Sequence, residues 1–152
     1  MNWNAKDVET YFQEKEYIDT AVIPVLPIMF GTKMRHAAEQ GEYIQLLSQQ
    51  LERQFKGRML FLPPFTYLEE PEAASDLLNE WVSKLKENGF TYIFLITADK
   101  RWIPIQTNDH NTFIHVPAVP IQHMDDVQKH SLVEEQLKQI MAEIIEGWQA
   151  SI

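Results

Sequence analysis

The spacing of hydrophobic residues along the chain alternates between a helical period and short apolar runs, and these patterns predict helices and strands respectively. Four stretches carry apolar residues at helical spacing, each with one apolar face. Asn4 and Ser131 are typical N-cap residues, and Glu134 completes a capping box with Ser131. A turn over 125–129 could extend the last helix toward the N-terminus. The predicted helices are a short one after Asn4, one over 37–56, one over 72–88 and one from Ser131 onward.

Short apolar runs without a helical period predict the strands. Several do not alternate between apolar and polar residues, which favours strands of a parallel sheet covered on both faces. Proline donates no ladder hydrogen bond, so we expect strands to end near Pro24, Pro63 and Pro117. The segments 28–36 and 65–71 are interpreted as loops. The predicted strands are 20–23, 59–62, 91–97, 101–106 and 112–116.

The order of these elements predicts the fold. Strands separated by helices imply right-handed parallel crossovers, whereas 101–106 follows a short turn and is predicted to return antiparallel. We therefore expect a three-layer α/β/α sandwich on a mainly parallel sheet of four to five strands, with one antiparallel hairpin strand. The expected order is 2-1-3, with later strands beyond the third. A chain of 152 residues has the size of one domain, and no linker divides it.

Composition and charge limit the cellular compartment and the partners that we expect for this chain. The chain has no cysteine, which excludes disulfides and thiolate metal sites and fits a reducing compartment. Neither a signal-peptide pattern nor an apolar run of membrane-spanning length is visible, so we expect a cytoplasmic protein without a membrane partner. The formal net charge of −9 repels phosphate backbones, so nucleic-acid binding is not expected.

The exits of the strands are the expected place for a ligand, because open α/β sheets bind ligands outside the carboxyl ends of their strands. Two exit loops together predict a small basic patch that could hold an anion such as a phosphate. The alternative is that both loops are merely solvated, since no P-loop or Rossmann glycine pattern occurs. The candidate ligand-binding residues are Gly31, Thr32, Lys33, Arg35 and His36 in the first loop, and Asp99, Lys100, Arg101 and Trp102 in the second.

Patterns of known catalytic sites are missing from the sequence. It contains no H-E-x-x-H, H-x-H or G-x-S-x-G arrangement, so the catalytic residues are unknown and no metal ligand or cofactor is predicted. His36 with Asp99 or His115 leaves a metal-dependent hydrolase open. Trp102 is interpreted either as an exposed binding anchor or as a lid over the sheet edge. Trp148 with Ile152 could form a dimer patch.

Three segments resemble a known family. They are Trp3-Asn4-x-Lys6-Asp7-Val8, Tyr17-Ile18-Asp19-Thr20-Ala21 and Val25-Leu26-Pro27-Ile28, which are similar to the YpiF-like family of small uncharacterised proteins of bacilli. The resemblance runs along the whole chain. It implies a cytoplasmic protein of unknown function and supplies no catalytic residues.

Three functions remain open from the sequence, and fold alone does not choose among them. The first is a non-catalytic interaction or regulatory domain that binds a protein partner or a second copy. The second is a binder of, or enzyme for, a small phosphorylated ligand held by Lys33, Arg35, Lys100 and Arg101. The third is the metal-dependent hydrolase. The missing motifs favour the first.

Overall fold

A computed structural model describes residues 1–105 and 112–150 of the chain. Within these ranges the chain forms four α-helices and five strands. In chain order they are α1 (Ala5–Gln13), β1 (Thr20–Ile28), α2 (Met34–Gln54), β2 (Met59–Phe61), β3 (Phe65–Leu68), α3 (Pro71–Glu87), β4 (Tyr92–Thr97), β5 (Thr112–His115) and α4 (Asp126–Gln149). Short 3₁₀ helices cover Gly31–Lys33 and Lys100–Trp102.

The five strands form one sheet, and every described pairing in it is parallel. β1 is central, with β4 on one side and β5 beyond β4. β2 and β3 follow one another along the other side of β1, where β2 pairs with 20–22 and β3 pairs with 25–28. The first three predicted strands correspond to β1, β2 and β4, so their expected order 2-1-3 is confirmed. The strand that begins at Thr112, β5, lies beyond β4, as predicted.

β1 continues through two prolines, although the sequence predicted that it ends near the first. Leu62 N–H donates to the carbonyl of Val22, so even-numbered residues of β1 turn their backbone groups toward β2 and β3. Pro24 therefore faces the break between β2 and β3. Pro27 faces the other way, beyond the last β1–β4 pair at Ile96. Neither proline removes a ladder bond, which explains how both are tolerated in a central strand.

Two further segments differ from the prediction. The expected loop over 65–71 contains strand β3, in which burial alternates along the chain. The expected antiparallel strand over 101–106 is wrong for its described part, because 101–105 form a 3₁₀ helix and a turn. Asp99 fixes this tight turn by accepting the backbone N–H of Arg101. Gln106 and the predicted turn over 107–111 lie outside the described residues.

Helices cover both faces of the sheet and give the predicted three layers. α2 and α4 cover one face, where Phe94, Leu47 and Ile140 belong to one buried cluster. α1 and α3 cover the other face, where Leu95 and Leu78 belong to a second cluster. None of the helices described has the length and apolar character needed to cross a membrane.

Side-chain caps set the starts of the first and last helices. Asn4 caps α1 by accepting the N–H of Asp7 at 2.8 Å, as predicted. α4 begins earlier than the predicted Ser131, because Asp125 is its N-cap and Gln128 completes the capping box. Both places carry a capping pattern, and the earlier one starts the helix, so Ser131 lies inside it.

Candidate functional site

A buried network of side chains follows the carboxyl end of β4. Asp99 is only 3 % exposed, and Arg101 donates to both of its oxygens, at 2.9 Å from Nε and 2.8 Å from Nη2. The Tyr67 hydroxyl donates to the same carboxylate at 2.5 Å, and the Trp102 indole N–H donates to the Tyr67 oxygen at 2.9 Å. These four residues, the Asp99 network, hold one another in place.

The network is electrically balanced. Burial by itself would raise the pKa of Asp99, but hydrogen bonds from Arg101 and Tyr67 outweigh it and hold that pKa below its ordinary value. The hydrogen bond to Asp99 raises the pKa of Arg101, and burial, helped by Asp99, raises the pKa of Tyr67. Glu70 adds a second carboxylate 3.6 Å from Arg101. The charge of Arg101 is therefore already matched inside the protein.

The first predicted ligand loop makes its own local contacts. Gly31–Lys33 form the 3₁₀ helix before α2, and Gly31 has a φ of 70°, which glycine adopts without strain. Arg35 bonds Glu39 at 3.3 Å, and a ring nitrogen of His36 lies 3.0 Å from Gln40 Nε2. Across the described ranges, no hydrogen bond or ion pair joins this loop to the Asp99 network. Joint binding of an anion by the two loops stays a prediction.

Trp102 is not an exposed binding anchor, because it is only 1 % exposed. Its ring stacks on Phe113 of β5 and meets Tyr67 of β3 edge-on, with 5.3 Å between centroids in both pairs. Since β3 and β5 lie on opposite sides of β1 and β4, the indole covers the sheet at the carboxyl end, on the face beneath α3. This position is close to the alternative prediction of a lid.

The histidines do not assemble a metal site in the part of the chain that the structure describes, where no three His, Asp or Glu side chains lie close enough to share an ion. Asp99 has its oxygens occupied by the hydrogen bonds above. His115 ends β5 with a buried Nε2 that has no hydrogen-bond partner among the described residues. His110 lies outside the described residues.

Trp148 contributes to the fold. Its indole N–H donates to Thr20 Oγ1 at 2.9 Å, and the Arg58 guanidinium carbon lies 3.7 Å from its ring centroid. Phe55 meets the ring edge-on at 5.5 Å. Trp148 therefore joins α4 to β1 and to the end of α2. The predicted dimer patch also needs Ile152, which lies outside the described residues, and it stays a prediction.

An apolar groove of about 580 Å³ lies between α1 and α3. Trp3, Phe12 and Leu77 line it, and each is more than half exposed. Lys15 and Lys84 also line this groove, which we call the α1–α3 groove. It presents aromatic and aliphatic surface together with cations, on a chain that is acidic as a whole.

A second groove of about 720 Å³ lies at the carboxyl end of β1, against the start of α2. Phe30 and Met34 line it with more than half of their surface exposed, and Ile28 is 37 % exposed. Thr66 and Pro64 form its side toward β3. We call it the β1–α2 groove.

A smaller cavity of about 250 Å³ lies between the two grooves. It shares Trp3, Leu62 and Pro63 with the α1–α3 groove, and Gln45 and Pro64 with the β1–α2 groove. The three spaces therefore adjoin one another around the side of the sheet where β2 and β3 lie. We call the exposed apolar side chains that line these spaces the edge surface; they are Trp3, Phe12, Ile28, Phe30, Met34 and Leu77.

Sequence reasoning placed the candidate site at the strand exits and missed the edge surface. A signal was present in β3, where buried Phe65 and Tyr67 alternate with exposed Thr66 and Leu68. That period of two is typical of a strand with one solvated face. The neighbouring prolines favoured a loop, and an edge strand therefore went unrecognised.

Comparison with known proteins places the chain among its relatives. The model of a family described as "Protein of unknown function (DUF2487)" matches residues 9–148. The chain is 36% identical over 153 residues to the uncharacterised protein YpiF of Bacillus subtilis (strain 168), which covers 97% of this chain and 98% of the relative. No solved structure matches. The resemblance drawn from the sequence is confirmed.

Proposed function

Since the chain belongs to the DUF2487 family of proteins of unknown function, we propose from its surface that it is a non-catalytic interaction domain that holds a partner protein on the edge surface. The observation that carries this is that the three spaces adjoin one another through shared lining residues and are lined by exposed apolar side chains. Single exposed apolar side chains are ordinary, but a contiguous apolar patch marks an interaction site. Here Trp3, Phe12 and Leu77 line one groove and Ile28, Phe30 and Met34 line the groove beside it, whereas the other exposed apolar residues lie outside both.

The residue types support a protein partner. Trp3, Phe12 and Phe30 are aromatic, and aromatic anchors in apolar pockets carry much of the binding energy at protein interfaces. The net charge of −9 disfavours nucleic acid and anionic lipid as partners. The lack of cysteine supports action in a reducing compartment such as the cytoplasm.

The phosphorylated-ligand alternative has less support. Arg101 would supply one of its cations, but Asp99 and Glu70 already bond that guanidinium. Lys33 and Lys100 remain available, since neither has an ion pair within the described ranges. If this alternative holds, replacing Lys33 and Arg101 together abolishes stabilisation by a phosphorylated ligand in a thermal unfolding assay.

Two matched charge insertions test the proposed function. Leu77→Glu places a carboxylate in the α1–α3 groove, and Val127→Glu places one on α4, away from the grooves; both residues are exposed. The tagged full chain is used to capture a partner from cell lysate. The captured protein is then identified, purified and titrated calorimetrically against the wild type and both variants.

We expect Leu77→Glu to weaken binding at least tenfold, because a charge placed among apolar side chains loses its water when a partner covers the groove, and Val127→Glu to leave the affinity unchanged. Phe30→Glu, in the β1–α2 groove, should also weaken binding. Equal affinities for the wild type, Leu77→Glu and Phe30→Glu would overturn the proposal, as would the failure of any captured protein to bind saturably once purified.

A further inference from the structure

We infer that the outer edge of β3 accepts an extended segment of the partner, which adds to the sheet as a further strand. This rests on the proposed function and specifies how the partner is held. The segment is apolar at alternate positions and carries lysine or arginine at one end. Its main chain bonds β3, and its side chains enter the β1–α2 groove.

The hydrogen-bond register of β3 leaves main-chain groups open on that edge. Glu69 N–H donates to the Ile28 carbonyl at 3.1 Å. Successive residues of a strand direct their backbone N–H and C=O groups to opposite sides. Odd-numbered residues of β3 therefore bond β1, whereas Thr66 and Leu68 turn their backbone groups outward. The Leu68 carbonyl accepts the N–H of Glu70 at 2.8 Å. The Thr66 N–H and carbonyl and the Leu68 N–H have no main-chain partner in the described part of the chain.

The neighbouring strand β2 shows what such an edge accepts. There the Met1 carbonyl accepts the N–H of Phe61 at 2.8 Å, and the Met1 nitrogen donates to the Met59 carbonyl at 2.8 Å. Pro63 and Pro64 separate this covered stretch from β3. Folded proteins usually protect open edges, because an open edge is a template for another strand. On this side of the sheet the open stretch is confined to β3, beside the β1–α2 groove; at the opposite edge, β5 also has no strand beyond it among the described residues.

The alternation of side chains along an added strand also fits an extended segment at this edge. An added strand points every second side chain to one face of the sheet. On the face beneath α2, those side chains would meet the β1–α2 groove, where Thr66, Phe30 and Met34 are exposed. The groove has room, at about 720 Å³, for two or more aliphatic side chains. Main-chain bonds would supply the pairing, and the groove would select apolar residues.

Charge argues for a basic segment from another protein. Glu69, Glu70 and Glu72 lie exposed just beyond the carboxyl end of β3, and only Glu70 has a cation nearby in the described ranges, Arg101 at 3.6 Å. The chain as a whole carries −9. A second copy would bring a further net charge of −9, and like charges oppose pairing. A segment ending in lysine or arginine would meet the three glutamates instead.

A pair of substitutions at one position tests strand addition. Thr66→Pro removes an outward N–H and places a ring against an incoming strand, while no bond to β1 is lost. Thr66→Val keeps the N–H and changes only the side chain. The probes are peptides selected from a displayed library of random dodecamers on the immobilised full chain. Each is synthesised and titrated against the wild type and both variants.

We expect selected peptides with alternating apolar residues and a basic end. Their affinity should fall at least tenfold on Thr66→Pro and stay within about twofold on Thr66→Val. Circular dichroism and thermal unfolding check that Thr66→Pro is folded. N-methylation of alternate peptide bonds in the probe provides the same test on the wild-type chain, and it should abolish binding in one alternation phase only.

The outcomes separate this inference from the proposed function. Peptides that lose affinity with Phe30→Glu but bind Thr66→Pro normally would overturn strand addition and leave the edge surface as a docking site. Peptides insensitive to Phe30→Glu, Leu77→Glu and Thr66→Pro would overturn both. Failure to enrich any peptide, or sedimentation showing that two copies pair through this edge, would also overturn strand addition to a partner.

Discussion

Gly147 of α4 lies directly against the ring of Phe94 in β4. A Cβ at position 147 would stand 2.8 Å from Cε1 and 3.0 Å from Cζ of that ring. Phe94 is fully buried, so the ring has little room to move aside. The missing side chain lets α4 approach the sheet closely on the face that it shares with α2.

Gly147→Ala should therefore destabilise the protein, although alanine favours helices by about 1 kcal/mol over glycine. Overpacking a core typically costs about 1–3 kcal/mol, so we expect a net loss in the free energy of unfolding, measured by urea denaturation. Gly41→Ala in α2 is the control. Its added Cβ would meet Leu26 Cδ1 at 3.8 Å, an ordinary contact, and this variant should gain stability. A more stable Gly147→Ala protein would contradict this packing.

Asp99 should make stability depend on acid pH. Its pKa is lowered in the folded state, so the unfolded chain takes up the proton first as the pH falls. The contribution of Asp99 is complete above its unfolded pKa of about 3.9 and is lost as the pH falls through the lower folded value. We expect Asp99→Asn to cost about 2 kcal/mol at neutral pH, less than a fully buried pair because Arg101 is partly exposed.

Urea denaturation of the wild type and Asp99→Asn over a range of acid pH checks this. The difference between the two proteins should shrink as the pH falls below the unfolded pKa of Asp99. Tyr67→Phe keeps the Asp99–Arg101 pair and should largely retain the acid dependence. A difference that stays constant with pH would show that Asp99 is not a titrating group of the fold.

Much of the fold follows from sequence pattern, and the exceptions have physical causes. The non-alternating apolar strands and the helices between them predicted the parallel sheet and its order. The end of β1 could not be predicted, because tolerance of Pro24 and Pro27 depends on which neighbour each faces. The burial of Trp102 depends on its contacts with Tyr67 of β3 and Phe113 of β5, and neither residue is a neighbour of Trp102 in sequence.

The candidate site was less predictable than the fold. The edge surface combines residues of α1, α3, β1 and the start of α2, and no local spacing connects them. Leu77 has the same residue type as Leu78, yet only Leu78 is buried. The direction in which each apolar residue faces is decided by packing, so sequence alone could not separate core leucines from surface ones.

Tyr43→Phe should maintain or raise stability. The Tyr43 hydroxyl is fully buried in the cluster beneath α2 and has no hydrogen-bond partner among the described residues. Removing it relieves an unsatisfied polar group, which typically costs about 1–3 kcal/mol. We expect an unfolding free energy equal to or up to about 1 kcal/mol above the wild type, measured in urea.

The alkaline behaviour of the same variant gives a second check. Burial raises the pKa of Tyr43 to about 12. The stability linked to the neutral hydroxyl is complete below the unfolded pKa of about 10, and it is lost as the pH rises through the folded value. Tyr43→Phe should therefore lose less stability between neutral and alkaline pH than the wild type. A large loss at neutral pH would mean that the hydroxyl makes a stabilising bond.

Leu77 and Leu78 provide a test of the edge surface without any partner. Leu77 is more than half exposed and Leu78 is fully buried, although they are neighbours on α3. We expect Leu78→Ala to cost about 2–5 kcal/mol, and Leu77→Ala to change stability by no more than about 0.5 kcal/mol. Thermal and urea unfolding compare the two. A large cost for Leu77→Ala would make the groove part of the core and remove the argument that it is free for a partner.

Amide hydrogen exchange on the full chain, with and without a bound partner or selected peptide, tests the central claim most directly. The edge surface and the open edge of β3 predict slowed exchange at Thr66 and Leu68 and along the grooves beside them, with β5 unchanged. Slowed exchange confined to β5 or to the loop after β4, with Thr66 and Leu68 unaffected, would contradict the account.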